Sequence, residues 1–332
     1  MELTILKLIF MLMTFFIMFV GGLINSLEKH LPDLILQSFK YGKFAHHVSS
    51  PLVKPIEIPK RWFRHFYVFA ALFSSIALAI SFNVFVFARP IPSWLSFLLD
   101  FLGPNSRNAT VTASSSLLAL FLLTMQSWRR FYETHYISVF SDTNINLSHY
   151  LVGYMHYFGA ICAILIEAPG FATPSFDYRA SLSLSDLSVG SVAGALIFLW
   201  AWHHQFKAAI ILSKLRKDKK GAVVSYEHKM PKGDLFEVVS SPHFFCEMVM
   251  YLALTIILWG HCTWPYVFFW VLCNQLETAL LNHWWYKSKF DDYPNSGKRT
   301  SRTSCRSEDI CRCCFNAYVS SSLPFLSSFS QP

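Results

Sequence analysis

Along this chain apolar residues gather into long runs, and the loops between them hold most of the charge. A helix needs about 20 apolar residues to cross the hydrocarbon core of a bilayer. Lipid offers the backbone no hydrogen-bond partners, so helices are the form such runs take. The pattern predicts seven spans, at 3–24, 66–88, 114–127, 147–168, 188–212, 244–260 and 264–285, the third of them short. The expected fold class is therefore all-α, a polytopic membrane protein of about seven transmembrane helices. Residues 3–24 begin like a signal peptide, with Lys7 early in the run. The run is long enough to span and no small-residue cleavage site follows, so a retained first helix is expected. Residues 25–65, punctuated by Pro32, Pro51, Pro55 and Pro59, are expected to form an extended loop.

Composition agrees with this pattern. The chain is 53% hydrophobic, 17% aromatic with 32 Phe, and only 14% charged. The net charge of +8 could suggest nucleic acid, but its distribution follows the membrane instead, and no nucleic-acid partner is expected. Lys and Arg crowd the first loop (Lys29 to Arg64), the third (Arg129, Arg130), the fifth (Lys214 to Lys232) and the C-terminal stretch. The opposite side has only Arg89, Arg107 and Arg179. This asymmetry is the positive-inside pattern and predicts an outside N-terminus and a cytosolic C-terminus. The sequon Asn108-Ala109-Thr110 falls on the predicted lumenal side; Asn146-Leu147-Ser148 falls at a cytosolic helix start and is expected to stay unmodified. The Cys residues at membrane depth (Cys162, Cys246, Cys262, Cys273) read as small apolar packers.

Polar residues within such runs are expensive and mark function. Glu247 stands where the sixth span begins, after the turn-rich PKGDLFEVVSSPHFFCE. His203, His204, Gln205 and Lys207 interrupt the fifth span, and Asn274, Gln275, Glu277, Asn282 and His283 the seventh. After the third span, Arg129, Tyr132, Glu133 and Tyr136 share one helical face by spacing. That face can be an Arg–Glu pair with two headgroup-level aromatics. It can equally be an interior polar face, with Tyr132 or Tyr136 as proton donor and Arg129 or Arg130 gripping phosphate. His65 enters the second span beside Tyr67. His149 and His156 share a face of the fourth span without a third ligand, so no metal is expected. Polar groups from several helices thus collect at one depth, below a basic mouth. Such a site suits a lipid within the membrane and a multiply anionic partner at the mouth. No GxGxxG, GxxxxGK[ST], HExxH or paired CxxC motif is present.

At these residues the chain resembles the steroid 5-alpha-reductase family. KGDLFEVVSSPHFFCE is similar to the family's G-x-x-F-x-x-V-S signature with its nearby Glu, and LNHWWYKSKFDDYP to its C-terminal H-x-x-Y-x-x-x-F-x-x-YP. RRFYETHYISVFS, LRKDKKG and GDLFEVVSSP resemble the polyprenol reductase branch. The resemblance covers roughly residues 60–294. It implies a seven-helix enzyme of the endoplasmic reticulum membrane that uses NADPH. Its reaction would reduce the α-isoprene double bond of a polyprenol or polyprenal on the route to dolichol for N-glycosylation. Carried over by position, Arg216, His228, Lys229, His243, Glu247 and Tyr286 match cofactor-contacting positions. The catalytic Tyr of the steroid enzymes falls at Arg130, which leaves Tyr132 and Tyr136 as neighbouring candidates; His65 is nearest to the steroid enzymes' catalytic Glu.

The resemblance divides the chain into residues 1–59 (first helix and loop), a catalytic domain at 60–294, and a Ser- and Cys-rich stretch at 295–332. That last stretch departs from the family pattern, has no helical periodicity and is expected to be disordered. Its Cys305, Cys311, Cys313 and Cys314 lack the spacing and His partners of a zinc site. Other readings are a reductase of a steroid or another enoyl lipid, and a lipid-binding protein without catalysis.

Overall fold

Seven helices stand where the seven apolar runs predict them, and side-chain caps or prolines fix most of their starts. In the computed structural model, which describes residues 2–40, 44, 56–172, 182–291 and 293, Thr4 caps α1 (Ile5–Leu27) by accepting from the Lys7 amide. Helix α2 (Asp33–Phe39) follows. Helix α3 (Phe63–Phe87) ends at Ala88 in the left-handed region. Helix α4 (Ser93–Leu102) then starts after Pro92. Thr112, Asn146 and Ser188 cap α5 (Ala113–Tyr132), α6 (Leu147–Ile166) and α7 (Val189–Lys214). These short polar side chains satisfy amides that the first turn leaves unpaired. Helices α8 (Pro242–Ile257) and α9 (Trp264–Lys289) carry Pro in their first turn, where no amide is missed. The stretch 295–332 and Arg179 lie outside the described residues.

Among the described residues four segments are long and apolar enough to cross a membrane: α1, α3, α6 and α7. Helix α8 is apolar but has 16 residues, while α5 and α9 have the length and dilute it with polar side chains. The fold is all-α and polytopic, as expected. Three local expectations need correction. The loop at 25–65 contains α2, because Leu36 and Phe39 bury themselves against Val20 and Ile24 of α1. It also contains β1 (Glu57–Pro59), paired antiparallel with β2 (Asn144–Asn146) in the register Ile58 to Ile145. The third helix extends past the predicted 127 to Tyr132 and continues as a π turn over Glu133–Ile137.

Helices α7 and α8 make the most extensive contact, followed by α3 with α5, α8 with α9 and α1 with α9. Small residues permit the closest approaches, as is usual between membrane helices. A Cβ at Gly194 would stand 2.9 Å from the Ala253 carbonyl oxygen on α8. A Cβ at Gly21 would meet Glu277 of α9, whose carboxylate instead accepts from Asn25 at 2.5 Å.

One end of the bundle is tied by a single carboxylate. Glu167 accepts from the Thr110 and Thr263 hydroxyls at 2.6 Å each and from the Cys262 amide at 2.7 Å. It so joins the start of α5, the end of α6 and the α8–α9 turn. Replacing Glu167 by Ala removes the partner of three donors, of which the Thr263 hydroxyl is buried, and an unmade buried hydrogen bond costs about 1–3 kcal/mol. A fall in the thermal midpoint of the detergent-solubilised protein is expected; an unchanged midpoint contradicts this assignment.

Candidate active site

At the opposite end, polar side chains from α3, α5, α7 and α8 meet inside apolar walls. Glu247, buried on α8, accepts from Gln126 of α5 at 3.1 Å and from Gln205 of α7 at 2.5 Å. Gln205 also donates to the His243 carbonyl at 2.9 Å, and its own carbonyl accepts from Gln126 at 2.9 Å and from Arg129. Arg129 further donates to the Trp202 carbonyl and lies over the Trp202 ring. Its Nε stands 3.2 Å from Glu133, which has no exposed side-chain surface and also receives Arg130. Arg130 reaches across to α3, donating to the Tyr67 hydroxyl at 2.9 Å and lying over that ring. Two cations thus share one buried carboxylate, and the amide groups spread the remaining positive charge toward Glu247. Charges this deep persist because each has an opposite charge or hydrogen-bond partners.

The residues named from sequence fall into three groups. Glu247 and His243 belong to this buried network. Half-buried Arg216 and His228 lie near buried Tyr286 in a second cluster. There Arg216 stands 3.1 Å from the His228 ring nitrogen, His228 packs edge-on against Trp285, and Tyr286 stacks on Tyr293. The clusters are linked through Ser241, two residues before His243, which accepts from Asn282 of α9 at 2.5 Å. Lys229 is exposed on the same loop.

Tyr132, Tyr136 and His65 lie apart from both clusters. Tyr132 is 49% and Tyr136 68% exposed, and their rings pack together at 5.3 Å. In a regular helix Tyr136 would lie close to the Arg129–Glu133 face. A π turn over Glu133–Ile137, closed by the Ser138 amide on the Glu133 carbonyl, follows Tyr132, and Tyr136 packs on Tyr132 as i,i+4 neighbours do. His65 stands 3.2 Å from the Tyr150 hydroxyl, beside Trp62.

Two members of the network were not singled out from the sequence. Spacing places Gln126 on the same face, with Arg129, Arg130 and Glu133 at i+3, i+4 and i+7. Tyr67 is not marked by spacing, because its role depends on α3 packing against α5. Gln126 also leaves its own buried carbonyl oxygen without a hydrogen-bond partner among the described residues.

The loop over the site is pinned to α7 by Asp234, which bonds His204 at 2.8 Å and lies 3.6 Å from Lys207. Burial alone would raise the Asp234 carboxyl. The hydrogen bonds from His204 and the Leu235 amide, with the charges of His204 and Lys207, outweigh burial and hold it below its ordinary value. A lowered carboxyl adds stability above its unfolded value of about 3.9 and loses it as pH falls through the folded one. Asp234→Asn is therefore expected to raise protease sensitivity of the 215–241 loop at pH 7, with the difference from the parent shrinking toward pH 3. Equal sensitivity at pH 7 contradicts the pinning.

Comparison with known proteins finds relatives along most of the chain. Residues 176–300 match a family profile described as 3-oxo-5-alpha-steroid 4-dehydrogenase. A Drosophila melanogaster protein named polyprenal reductase is 39% identical over 285 residues, covering 84% of this chain and 87% of the relative. The human polyprenal reductase is 34% identical over 262 residues, covering 78% and 82%. The Caenorhabditis elegans polyprenal reductase is 32% identical over 270 residues, covering 81% and 87%. Likeness of this extent runs through the network helices as well as the C-terminal motif, and the chain belongs to the steroid 5-alpha-reductase family, within its polyprenal reductase branch.

Proposed function

We propose that this chain reduces the α-isoprene double bond of a polyprenal to the corresponding dolichal in the endoplasmic reticulum membrane, using NADPH, with its basic end in the cytosol. The observation that carries the reading is the network of Glu247, Gln126, Gln205 and the Arg129–Glu133–Arg130 triad, enclosed in an apolar bundle beside Tyr67. A lipid aldehyde can approach such a site from the membrane and a phosphorylated dinucleotide from the basic end.

The residues present fit that cofactor. The orphan carbonyl of Gln126 beside Glu247 is a buried acceptor suited to a carboxamide N–H. Arg216, His228 and Lys229 supply donors for phosphates, with Tyr286 and His243 as further contacts. When bound, NADPH supplies the hydride. The chain's own residues then have two tasks. The first is to orient, for which Glu247 fixes the amide groups of Gln126 and Gln205. The second is to stabilise charge at the aldehyde oxygen as the conjugated double bond is reduced. Tyr67 suits the second task. Its oxygen accepts from Arg130, which leaves its own O–H to donate, and the guanidinium behind it offsets negative charge developing at the aldehyde oxygen. Packing of Phe66 and Tyr157 around Tyr67 excludes water.

The reaction adds a hydride to the β-carbon and a proton to the α-carbon, consuming one NADPH and one proton and giving dolichal and NADP. The test is the reduction of polyprenal by membranes containing the chain, with NADPH and with NADH. Dolichal formation preferring NADPH is expected. Absence of dolichal with both cofactors overturns the reading.

A further inference from the structure

A groove of about 800 Å³ runs along α3 and α5, walled by Leu78, Leu118 and Phe121 and bordered by Leu182, Ser183 and Leu187. That size is within the roughly 300–1,000 Å³ of ligand sites. We infer that this groove holds the isoprenoid tail of the substrate, placing the units after the reduced one along the α3–α5 seam. The inference rests on the polyprenal reading.

Three observations carry it. First, the groove uses the same two helices as the buried network. Ser75, at its near end, lies about 12 Å along α3 from Tyr67 at ~1.5 Å per residue, and Phe121 lies just over a turn from Gln126 on α5. A chain whose head is held at Tyr67 is thereby aimed down the seam.

Second, most polar side chains of the lining are engaged within the protein. Ser75 donates to the Ala71 carbonyl at 2.7 Å and accepts from Trp128 at 2.9 Å. Asn83 donates to the Ala79 carbonyl at 2.8 Å. Ser114 donates to the Ser183 carbonyl at 2.9 Å, and Ser183 pairs with Ser185 at 2.6 Å. The wall therefore presents hydrocarbon, which matches a ligand that has no polar atom beyond its head. A steroid-like ligand with a second oxygen would need a partner there.

Third, the Ser114–Ser183 bond ties the segment at 182–187 to the start of α5, while Phe82 and Phe121 are half exposed along the side. An open flank suits a long chain that fills the seam and leaves sideways into the bilayer.

The experiment uses full-length protein in membranes and two readouts. In the first, Leu78→Trp and Leu118→Trp narrow the groove. The KM for long-chain polyprenal is expected to rise at least about tenfold, since ~1.4 kcal/mol, less than two buried methylenes, is a factor of ten. Reduction of geranial, too short to fill the seam, is expected to stay at the parent rate. Equal loss with both aldehydes, or no loss with either, overturns the inference.

In the second readout, a diazirine-bearing polyprenal is expected to label the segments around Leu78 and Leu118, and unlabelled polyprenal to protect them. A diazirine-bearing phospholipid is expected to label them far less. Equal labelling by the phospholipid, unprotected by polyprenal, makes the seam an ordinary lipid-facing surface and overturns the inference. Labelling without any reductase activity in the parent chain retains the tail site and removes the reductase reading, so the two failures are distinct.

Discussion

Glu247→Ala is expected to abolish polyprenal reduction while leaving the chain folded. The carboxylate receives both Gln126 and Gln205 and so ties α5 and α7 to α8 at one point. Without it Gln205 still bonds the His243 carbonyl, Gln126 and Arg129, and Gln126 still bonds Gln205. The structural loss is therefore about 1–3 kcal/mol, small enough to survive in a bundle of this size. The functional loss is larger, because a preorganised polar group in a water-poor site is worth about 100- to 1,000-fold in rate. Glu247→Gln separates the two contributions, since it keeps the shape and removes the charge. Titration of each variant with NADPH, followed by nicotinamide fluorescence, is expected to show loss of binding in the Ala variant and weakened binding in the Gln variant. Wild-type turnover in either would remove Glu247 from the site.

Tyr67→Phe is expected to lower kcat about 100-fold or more, with KM nearly unchanged, because the hydroxyl acts on charge that develops only during reaction. Arg130 keeps its bond to Glu133 when the hydroxyl is removed, so no charge is stranded. Tyr132→Phe and Tyr136→Phe serve as controls. Both rings are largely exposed, and both variants are expected to keep parent rates. A collapse of activity in Tyr136→Phe, with Tyr67→Phe active, would move the charge-stabilising hydroxyl to the π turn.

The hydrophobic pattern made most of the fold legible, because membrane burial imposes a simple rule on length and polarity. Positions of α1, α3, α6, α7 and α9 followed directly. What it did not reveal was short structure whose burial depends on neighbours. Helix α2 forms because Leu36 and Phe39 find α1, and no periodicity of its own announces it. The site was legible in part for the same reason. Glu247 and Gln205 stand out as polar residues in apolar runs, and Gln126 shares a helical face with Arg129 and Glu133. Tyr132 and Tyr136 pack together as their spacing predicts, but their exposure depends on what α5 packs against, which the spacing does not encode. Tyr67 needed the packing of α3 on α5, which no spacing within either helix encodes.

One measurement bears most directly on the account. The purified full-length chain is given polyprenal and NADPH deuterated at the transferred position, and the lipid product is located by mass spectrometry. The account predicts dolichal with one deuterium on the β-carbon of the α-isoprene unit, absent in the Glu247→Ala protein. Unreduced polyprenal, or a product with deuterium on the aldehyde carbon, would contradict it.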